Sequence, residues 1–379
     1  MSNPSTARPL SIAILGTRGV PPRYGGFETF AAELGMRLIA HGHRVSVYCR
    51  ELDGQRGERT WNGIERIVLP AMRHHKYFET VSHSFLSALD ALRRDFDVVL
   101  VCNAANAFVL PILRLARIPV AINVDGVERK RRKWNVLGRA VYAIGESFSV
   151  LFADRVVADA HVIGDYYIQH YGARTTMIPY GADFPDEGDS TVLDRLGLSP
   201  RAYVLYVSRF EPENNPLEVV LAYEKLVAAS RVPLPPLVMV GHGLYAKELV
   251  AELHGHASAQ ILFPGAVYGD DYRTLQRNAL IYVQATEIGG THPALIEAMG
   301  SGGCVVANGT PENREVGGDA VRYFTLRPHE TLSIELDRLL ADGPARERMR
   351  VLARARVAEH YSWNAVERAY ERLFAELAG

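Results

Sequence analysis

Ser11-Ile-Ala-Ile-Leu15, then Gly16-Thr-Arg-Gly-Val-Pro-Pro-Arg-Tyr-Gly-Gly26, then an amphipathic run over residues 27–40, then Gly42 and Arg44-Val-Ser-Val-Tyr-Cys49: this succession decides the fold class. A short apolar run bounded by glycine predicts a buried strand. Phe30, Leu34 and Leu38 recur at helical spacing on one face of the run after the loop. Strand, glycine loop, helix and strand make a β-loop-α-β unit. Further strand signals at residues 98–101, 120–124, 155–158 and 176–178, with helical stretches between most of them, extend it to a parallel sheet covered by helices.

Residues 181–199 lose the apolar periodicity and hold Pro185, Gly188 and several acids, which predicts the start of an interdomain linker. The pattern then restarts. Strands are expected at 203–207, 237–240, 260–263, 280–284 and 304–307. Helices are expected at 216–229, 245–253, 272–278 and 293–300, and a long amphipathic one at 363–378. The expectation is an α/β chain of two doubly wound Rossmann-like domains facing across a cleft. Residues 1–185 form the first, joined by a final helix at about 362–379, and residues 200–361 form the second. Doubly wound sheets bind ligands beyond the carboxyl ends of their strands.

A length of 379 residues suits two domains. With 42 Lys and Arg against 43 Asp and Glu, the chain is close to neutral, which argues against a general nucleic-acid binder. Cys49, Cys102 and Cys304 fit no metal spacing and stand among apolar neighbours, so they read as buried thiols of a reducing cytoplasm. No signal-peptide core and no apolar run of membrane-spanning length is present.

Three loops could carry chemistry. In the first, Gly25 and Gly26 open a helix whose free N–H groups suit an anion, with Arg18 and Arg23 adding charge. This is not the G-x-G-x-x-G fingerprint of dinucleotide binding. The second, Ser208-Arg-Phe-Glu-Pro-Glu-Asn-Asn-Pro216, follows a strand and offers Arg209 to a diphosphate. Val240-Gly-His-Gly243 is a further turn of close approach. The third, Glu287-Ile-Gly-Gly-Thr-His-Pro-Ala-Leu-Ile-Glu297, opens a helix on a glycine turn. Its N-terminus suits phosphate, and Glu297 could accept hydrogen bonds from ribose hydroxyls. An arginine or glutamate alone is more often a solvated side chain; Glu297 departs from that because Leu295, Ile296, Ala298 and Met299 around it are apolar.

Gly25-Gly26 with Glu28, Gly42-His43, Ile178-Pro-Tyr-Gly-Ala-Asp183, Ser208-Arg209, Val240-Gly-His-Gly243, Pro264-Gly265 and Glu297-Ala-Met-Gly-Ser-Gly302 stand in an order that resembles the retaining family-4 glycosyltransferases of GT-B fold, over nearly the whole chain. Gly16 to Glu28, Asn123-Val-Asp-Gly126, Pro212-Glu-Asn-Asn215 and Gly289-Gly-Thr-His-Pro293 further resemble bacterial β-1,4-rhamnosyltransferases of capsule and cell-wall polysaccharide assembly. That resemblance implies dTDP-L-rhamnose as donor and a lipid-diphosphate-linked saccharide as acceptor. It makes Arg209, Asp125 and Glu297 the catalytic candidates. Donor contacts fall to Arg18, Gly25, Gly26, Ser208, Asn215, Gly241, Val267, Gly289, Gly290, Thr291, His292 and Glu297. Acceptor contacts fall to Asn103, Asn106 and Asp125. Asp125 reads equally as a turn residue, and Asn103 and Asn106 equally as helix caps. Two departures stand out. The family's paired glutamates have seven residues between them, so the position matching the first is Gly289, with Glu287 two residues too early; and a family lysine shortly after the matched arginine is replaced by Asn214 and Asn215.

No Asp-x-Asp or other metal-ligand cluster is legible, which points to a metal-independent reaction without a cofactor. The run Arg129-Lys-Arg-Arg-Lys-Trp134 reads as a solvated face, or as a contact for anionic lipid or the acceptor diphosphate at the inner face of the plasma membrane. His74, His75, His83 and His161 read as surface or capping histidines. Rival readings are a UDP- or GDP-sugar donor, a nucleotide-sugar epimerase of the same fold, and a nucleotide-sugar binder without catalysis.

Overall fold

Apolar residues on both faces of a strand leave it no place but the middle of a parallel sheet, and Ser11–Leu15 and Val98–Cys102 are buried along their whole length. The computed structural model describes residues 8–22, 25–51, 57–72, 76–131, 135–183, 191–243, 246–327 and 330–379. The chain forms two compact units. Residues 1–129, 134–179 and 363–379 make the first, and residues 130–133 and 180–362 the second.

In chain order the first unit holds β1 (Ser11–Leu15), α1 (Gly26–Ala40), β2 (Arg44–Arg50), β3 (Thr60–Trp61), β4 (Ile64–Leu69), α2 (Lys76–Ala91), β5 (Val98–Cys102), α3 (Leu110–Leu115), β6 (Val120–Asn123), α4 (Val136–Phe152), β7 (Arg155–Ala158), α5 (His161–Tyr171) and β8 (Thr176–Met177). Among the described residues its sheet has the order β3-β4-β2-β1-β5-β6-β7-β8, parallel except for the β3–β4 pair. Helix α1 forms where the sequence predicts it. Phe30, Leu34 and Leu38 are buried, each contributing about 1.5–3 kcal/mol of apolar burial.

The second unit holds α6 (Thr191–Leu196), β9 (Val204–Val207), α7 (Pro216–Ala229), β10 (Leu237–Val240), α8 (Lys247–Gly255), β11 (Ile261–Gly265), α9 (Gly269–Asn278), β12 (Ile281–Gln284), α10 (Pro293–Gly300), β13 (Val305–Asn308), α11 (Pro311–Gly317), β14 (Arg322–Phe324), α12 (Leu332–Ala341) and α13 (Gly343–His360). Its sheet, β11-β10-β9-β12-β13-β14, is parallel throughout. The last helix, α14 (Trp363–Ala378), belongs to the first unit and packs on α1. Phe30 meets the Tyr370 ring at 5.3 Å and Trp363 at 6.3 Å.

Every expected strand is present to within a residue or two at each end. Three were not expected. β3 and β4 form an edge where burial alternates in place of an apolar run, and β14 has three residues. The stretch expected to begin a linker carries α6, because Val192 and Leu193 supply a buried face; residues 184–190 lie outside the described set, as does Tyr245, where the helix that becomes α8 was expected to start. The three thiols are free and buried, and burial raises the pKa of each. No described helix is long and apolar enough to cross a membrane.

Candidate active site

A doubly wound sheet has one place where successive crossovers leave in opposite directions, and loops beyond the strands on either side of it diverge to leave room for a ligand. In the second unit that place lies between β9 and β12. The loops that follow these strands are the two singled out in the sequence, 208–215 and 285–292, and they are stitched together. Asn215 Nδ2 donates to the Ala285 carbonyl at 2.8 Å and Glu287 N–H to the Glu213 carbonyl at 2.9 Å. Asn215 has a left-handed φ of 54° and is wholly buried, so this expected donor contact ties the two loops. Ser208 and Arg209 stand half-buried at the end of β9. The Arg209 carbonyl accepts from Asn214 Nδ2 at 2.7 Å, which fixes the turn that presents its guanidinium. Thus one of the two asparagines standing in place of a family lysine shapes the arginine loop. At Gly241 (φ 152°) a Cβ would lie 1.8 Å from the Ser208 carbonyl oxygen, so only glycine lets the turn after β10 approach this loop. Val267 is half-buried just past β11, two strands from β9.

Glu297 sits on α10, half-buried, where a carboxylate keeps its charge only with hydrogen-bond donors at hand. Tyr272 Oη donates to its Oε2 at 2.6 Å and Tyr180 Oη to its Oε1 at 3.2 Å. Gln276 Nε2 donates to Tyr272 Oη at 2.8 Å, and the Tyr180 N–H to Thr291 Oγ1 at 3.3 Å. Burial and the neighbouring Glu297 charge raise the Tyr272 pKa well above its usual value, so the phenol remains a donor. The two tyrosines orient the carboxylate. Tyr180 was visible within a quoted motif but received no role. Tyr272 and Gln276 carry no local signal, since α9 meets α10 only in the fold.

Gly289, Gly290 and Thr291 are buried in the turn that opens α10. His292 follows as the residue before the helix, with Pro293 at the start. Asn313 Nδ2 donates to the carbonyls of Asn308 (2.9 Å) and Thr286 (3.3 Å), so its Oδ1 faces His292 Nδ1 at 2.8 Å and assigns the ring proton to Nδ1. Burial pushes the His292 pKa down to about 4, the bond to Asn313 opposes this, and the Arg131 charge adds to it. The ring is neutral at pH 7. A Cβ on residue 289 would lie 2.3 Å from its Nε2. The position that matches the family's first glutamate therefore has no room for a side chain, because the His292 imidazole fills it.

The first unit has its own reversal point, between β1 and β5. Asn106 is buried there. Its Nδ2 donates to the carbonyls of Cys102 (2.7 Å) and Gly16 (3.3 Å), and its Oδ1 accepts from Ser84 Oγ at 2.7 Å. That amide ties the ends of β1 and β5 to α2. Asn103 accepts from the Ala105 N–H at 2.9 Å as the cap of the following helical turn. Asp125 (φ 57°) stays half-buried beyond β6, with its N–H on Asn123 Oδ1 at 3.0 Å. Glu28 is buried, burial raises its pKa, and it accepts from the Arg18 N–H at 2.8 Å. The half-buried Arg18 and the N-cap Gly25 with Gly26 flank it; Arg23 lies outside the described residues.

Two arginines of the basic run turn inward. Arg129 packs over the Tyr166 ring at 5.3 Å and lies 3.4 Å from Glu146. Arg131 is buried 3.4 Å from the fully buried Glu213. Residues 132–134 lie outside the described set. His83 is a second correction: it is wholly buried, and burial pushes its pKa down to about 4. His161 is exposed at the start of α5, and His74 and His75 are not described. Among the described residues one group has ligand atoms close enough together for a metal ion: His41, Glu367 and Glu371. It sits where α1 ends, at the sheet edge opposite these loops, and His41 to Glu367 (2.9 Å) and His43 to Glu371 (3.2 Å) hold α14 in place.

Residues 25–181 match the model of the glycosyl transferase 4-like domain, and residues 195–356 that of the glycosyl transferases group 1. No curated protein matches the chain. Among solved structures the chain resembles sucrose-phosphate synthase from Thermosynechococcus elongatus, with a TM-score of 0.81, 19% identity, and coverage of 97% of this chain and 99% of that one. It also resembles Anabaena HepE in complex with UDP and glucose (TM-score 0.77, 16%, 97% and 100%). An α,α-trehalose-phosphate synthase (UDP-forming) from Burkholderia xenovorans in complex with glucose-6-phosphate is similar too (0.75, 14%, 96% and 100%).

Proposed function

As a glycosyltransferase of the GT-B type, whose first domain belongs to the glycosyl transferase 4-like family and whose second belongs to the glycosyl transferases of group 1, the chain, we propose, moves L-rhamnose from dTDP-L-rhamnose to a hydroxyl of a lipid-diphosphate-linked saccharide in bacterial surface polysaccharide synthesis, at the inner face of the plasma membrane. The observation that carries the donor half is Glu297, oriented by Tyr180 and Tyr272 beside the glycine turn that opens α10. A half-buried carboxylate held in this way beside a helix N-terminus suits ribose hydroxyls.

The diphosphate departs as the sugar takes on oxocarbenium character, so stabilising the leaving group dominates the barrier. Arg209 and the N-terminal turn of α10 supply positive potential for it. Asp125, on the first domain, is the acceptor-side candidate. The acceptor hydroxyl attacks from the face the diphosphate leaves, which retains the anomeric configuration, and a phosphate oxygen of the donor takes its proton. Neutral His292 occupies the place of a glutamate side chain, so the donor sugar meets backbone groups of residues 290–292 there. No step needs a metal.

A second reading, a UDP-sugar donor, is favoured by HepE, which is solved in complex with UDP-glucose. A donor screen separates them. The purified chain with a lipid-linked acceptor should release nucleotide from dTDP-L-rhamnose and not from UDP- or GDP-sugars. Release from UDP-glucose alone overturns the rhamnosyl assignment and leaves glycosyl transfer standing. Donor hydrolysis or epimerisation without transfer overturns the transferase reading.

A further inference from the structure

Helices on the surface of a water-soluble domain bury their apolar face. Two helices of the first unit also turn large apolar residues outward. In α4 the buried residues are Gly145, Glu146 and Ser149, while Leu137, Val141, Ile144 and Leu151 point to solvent at spacings of four, three and seven. In α2 His83, Ser84 and Ser87 are buried with the small Ala88 and Ala91, while Val81, Phe85, Leu86 and Leu89 are exposed. For α4 the inward polar positions have a local cause. Gly145 lets α4 approach the Ala104 carbonyl, where a Cβ would lie 2.4 Å away, and Glu146 is held inside by Tyr166 and Tyr171 at 2.7 Å each. α3 packs between the two helices and adds Leu115, 86% exposed. One layer on one side of the sheet thus presents a continuous apolar exterior, of the kind that marks an interaction surface.

Charge identifies the occupant. Among the described exposed residues of α2, α3 and α4 the only charged ones are Arg114 and Arg139, and no carboxylate is exposed. The turns that follow α2 and α3 add exposed Arg93, Arg94 and Arg117, with Asp95 the one exposed acid between them. Arg114 pairs with Asp154 and Arg94 with Asp90, and a second copy of the chain docked about a two-fold axis would set the other three, Arg93, Arg117 and Arg139, against one another. An anionic bilayer supplies both apolar depth and negative charge. We propose that the outer faces of α2, α3 and α4 form a membrane-docking surface that lies in the interface of an anionic lipid leaflet. The proposal refines the peripheral location suggested above and moves it from the basic run, whose Arg129 and Arg131 turn inward, to these helices. It rests on that reading only for its purpose, since the exposed apolar faces are there whichever acceptor is used.

The test is flotation of the purified full chain with phosphatidylcholine vesicles, with and without phosphatidylglycerol, for the wild type and for two variants. One is L137Q/V141Q/I144Q and the other F85Q/L89Q; every substituted residue is exposed, and the melting temperature verifies the fold. The wild type should float with the anionic vesicles and more weakly with neutral ones. Each variant should lose affinity by about tenfold or more, while donor turnover with a water-soluble acceptor saccharide stays at the wild-type level. A wild type that does not float, variants that float unchanged, or a concentration-dependent dimer that the variants abolish without vesicle binding would each overturn the proposal. Flotation without rhamnosyl transfer would sink the function proposed above and leave the docking surface intact.

Discussion

The two sheets reverse their winding in the same manner and use the opening differently. In the first unit the polar groups at the reversal point bond one another: Asn106 spans β5, the Gly16 loop and Ser84, and Glu28 is buried on the Arg18 N–H. In the second unit the stitching is done by Asn215 and Asn214, and Arg209 and Glu297 remain half-buried, Glu297 oriented by Tyr180 and Tyr272. A polar residue after a strand is thus not a sign of chemistry in itself. What separates a site from a brace is whether the fold buries the group or keeps it partly exposed beside the loops of the reversal point.

The sharpest way to break that contrast is Arg209→Ala. Turnover should fall by about 10²–10³-fold or more, the scale for removing a stabiliser of transition-state charge, with an unchanged circular dichroism spectrum and melting temperature. Near-wild-type kcat/KM would move Arg209 to the bracing class. Acid comes next and strikes both units alike. His83 and His292 have folded pKa values near 4 against about 6.5 unfolded. Above 6.5 both states are neutral. As pH falls from 6.5 towards 4 the unfolded chain binds protons that the folded chain refuses, so stability drops, by roughly 3 kcal/mol per histidine at the limit. Urea melts at pH 7 and pH 4.5 should show this loss, and His83→Asn and His292→Asn should each lessen it.

Asn106→Ala and Tyr272→Phe then divide the two regions. The first leaves the Gly16 and Cys102 carbonyls and Ser84 without a partner and should cost about 2 kcal/mol of stability, read by denaturant titration, with kcat unchanged once folded. The second should cost about tenfold in donor KM with little change in melting temperature. The reverse pattern would exchange the roles assigned to these residues. The smallest effect is Asn103→Ala: loss of one cap, about 1 kcal/mol, and unaltered acceptor KM. A raised acceptor KM would restore Asn103 to the site.

The strands at the centre of each sheet were legible in the sequence because parallel burial writes itself as a continuous apolar run. The edges, β3, β4 and β14, were not, since a half-covered strand mixes polar and apolar residues. The loops that meet at the second reversal point were legible from glycines, Arg209 and Glu297. Their partners were not: Tyr272 is 25 residues from Glu297 in the chain, and Asn313 is 21 from His292. Nothing local announces a contact that only strand order creates. The absence of a glutamate at position 289 was legible as a departure, and its cause, the His292 ring in that space, only in three dimensions. The inward turn of Arg129 and Arg131 was not legible because charge density in sequence says nothing of the buried acids, Glu146 and Glu213, that they meet.

Helix α14 completes the first unit from the far side of the second in the chain. Asn123 Nδ2 donates to Tyr370 Oη at 2.9 Å, and the ring packs on Phe30. A ribosome delivers residues in order, and domains ordinarily fold as they emerge. Here the earlier domain waits on the later one. Until residues 363–378 have been made, Phe30 and its neighbours stay uncovered through the whole synthesis of the second domain, so the first half is the part of the nascent chain that depends longest on protection from aggregation.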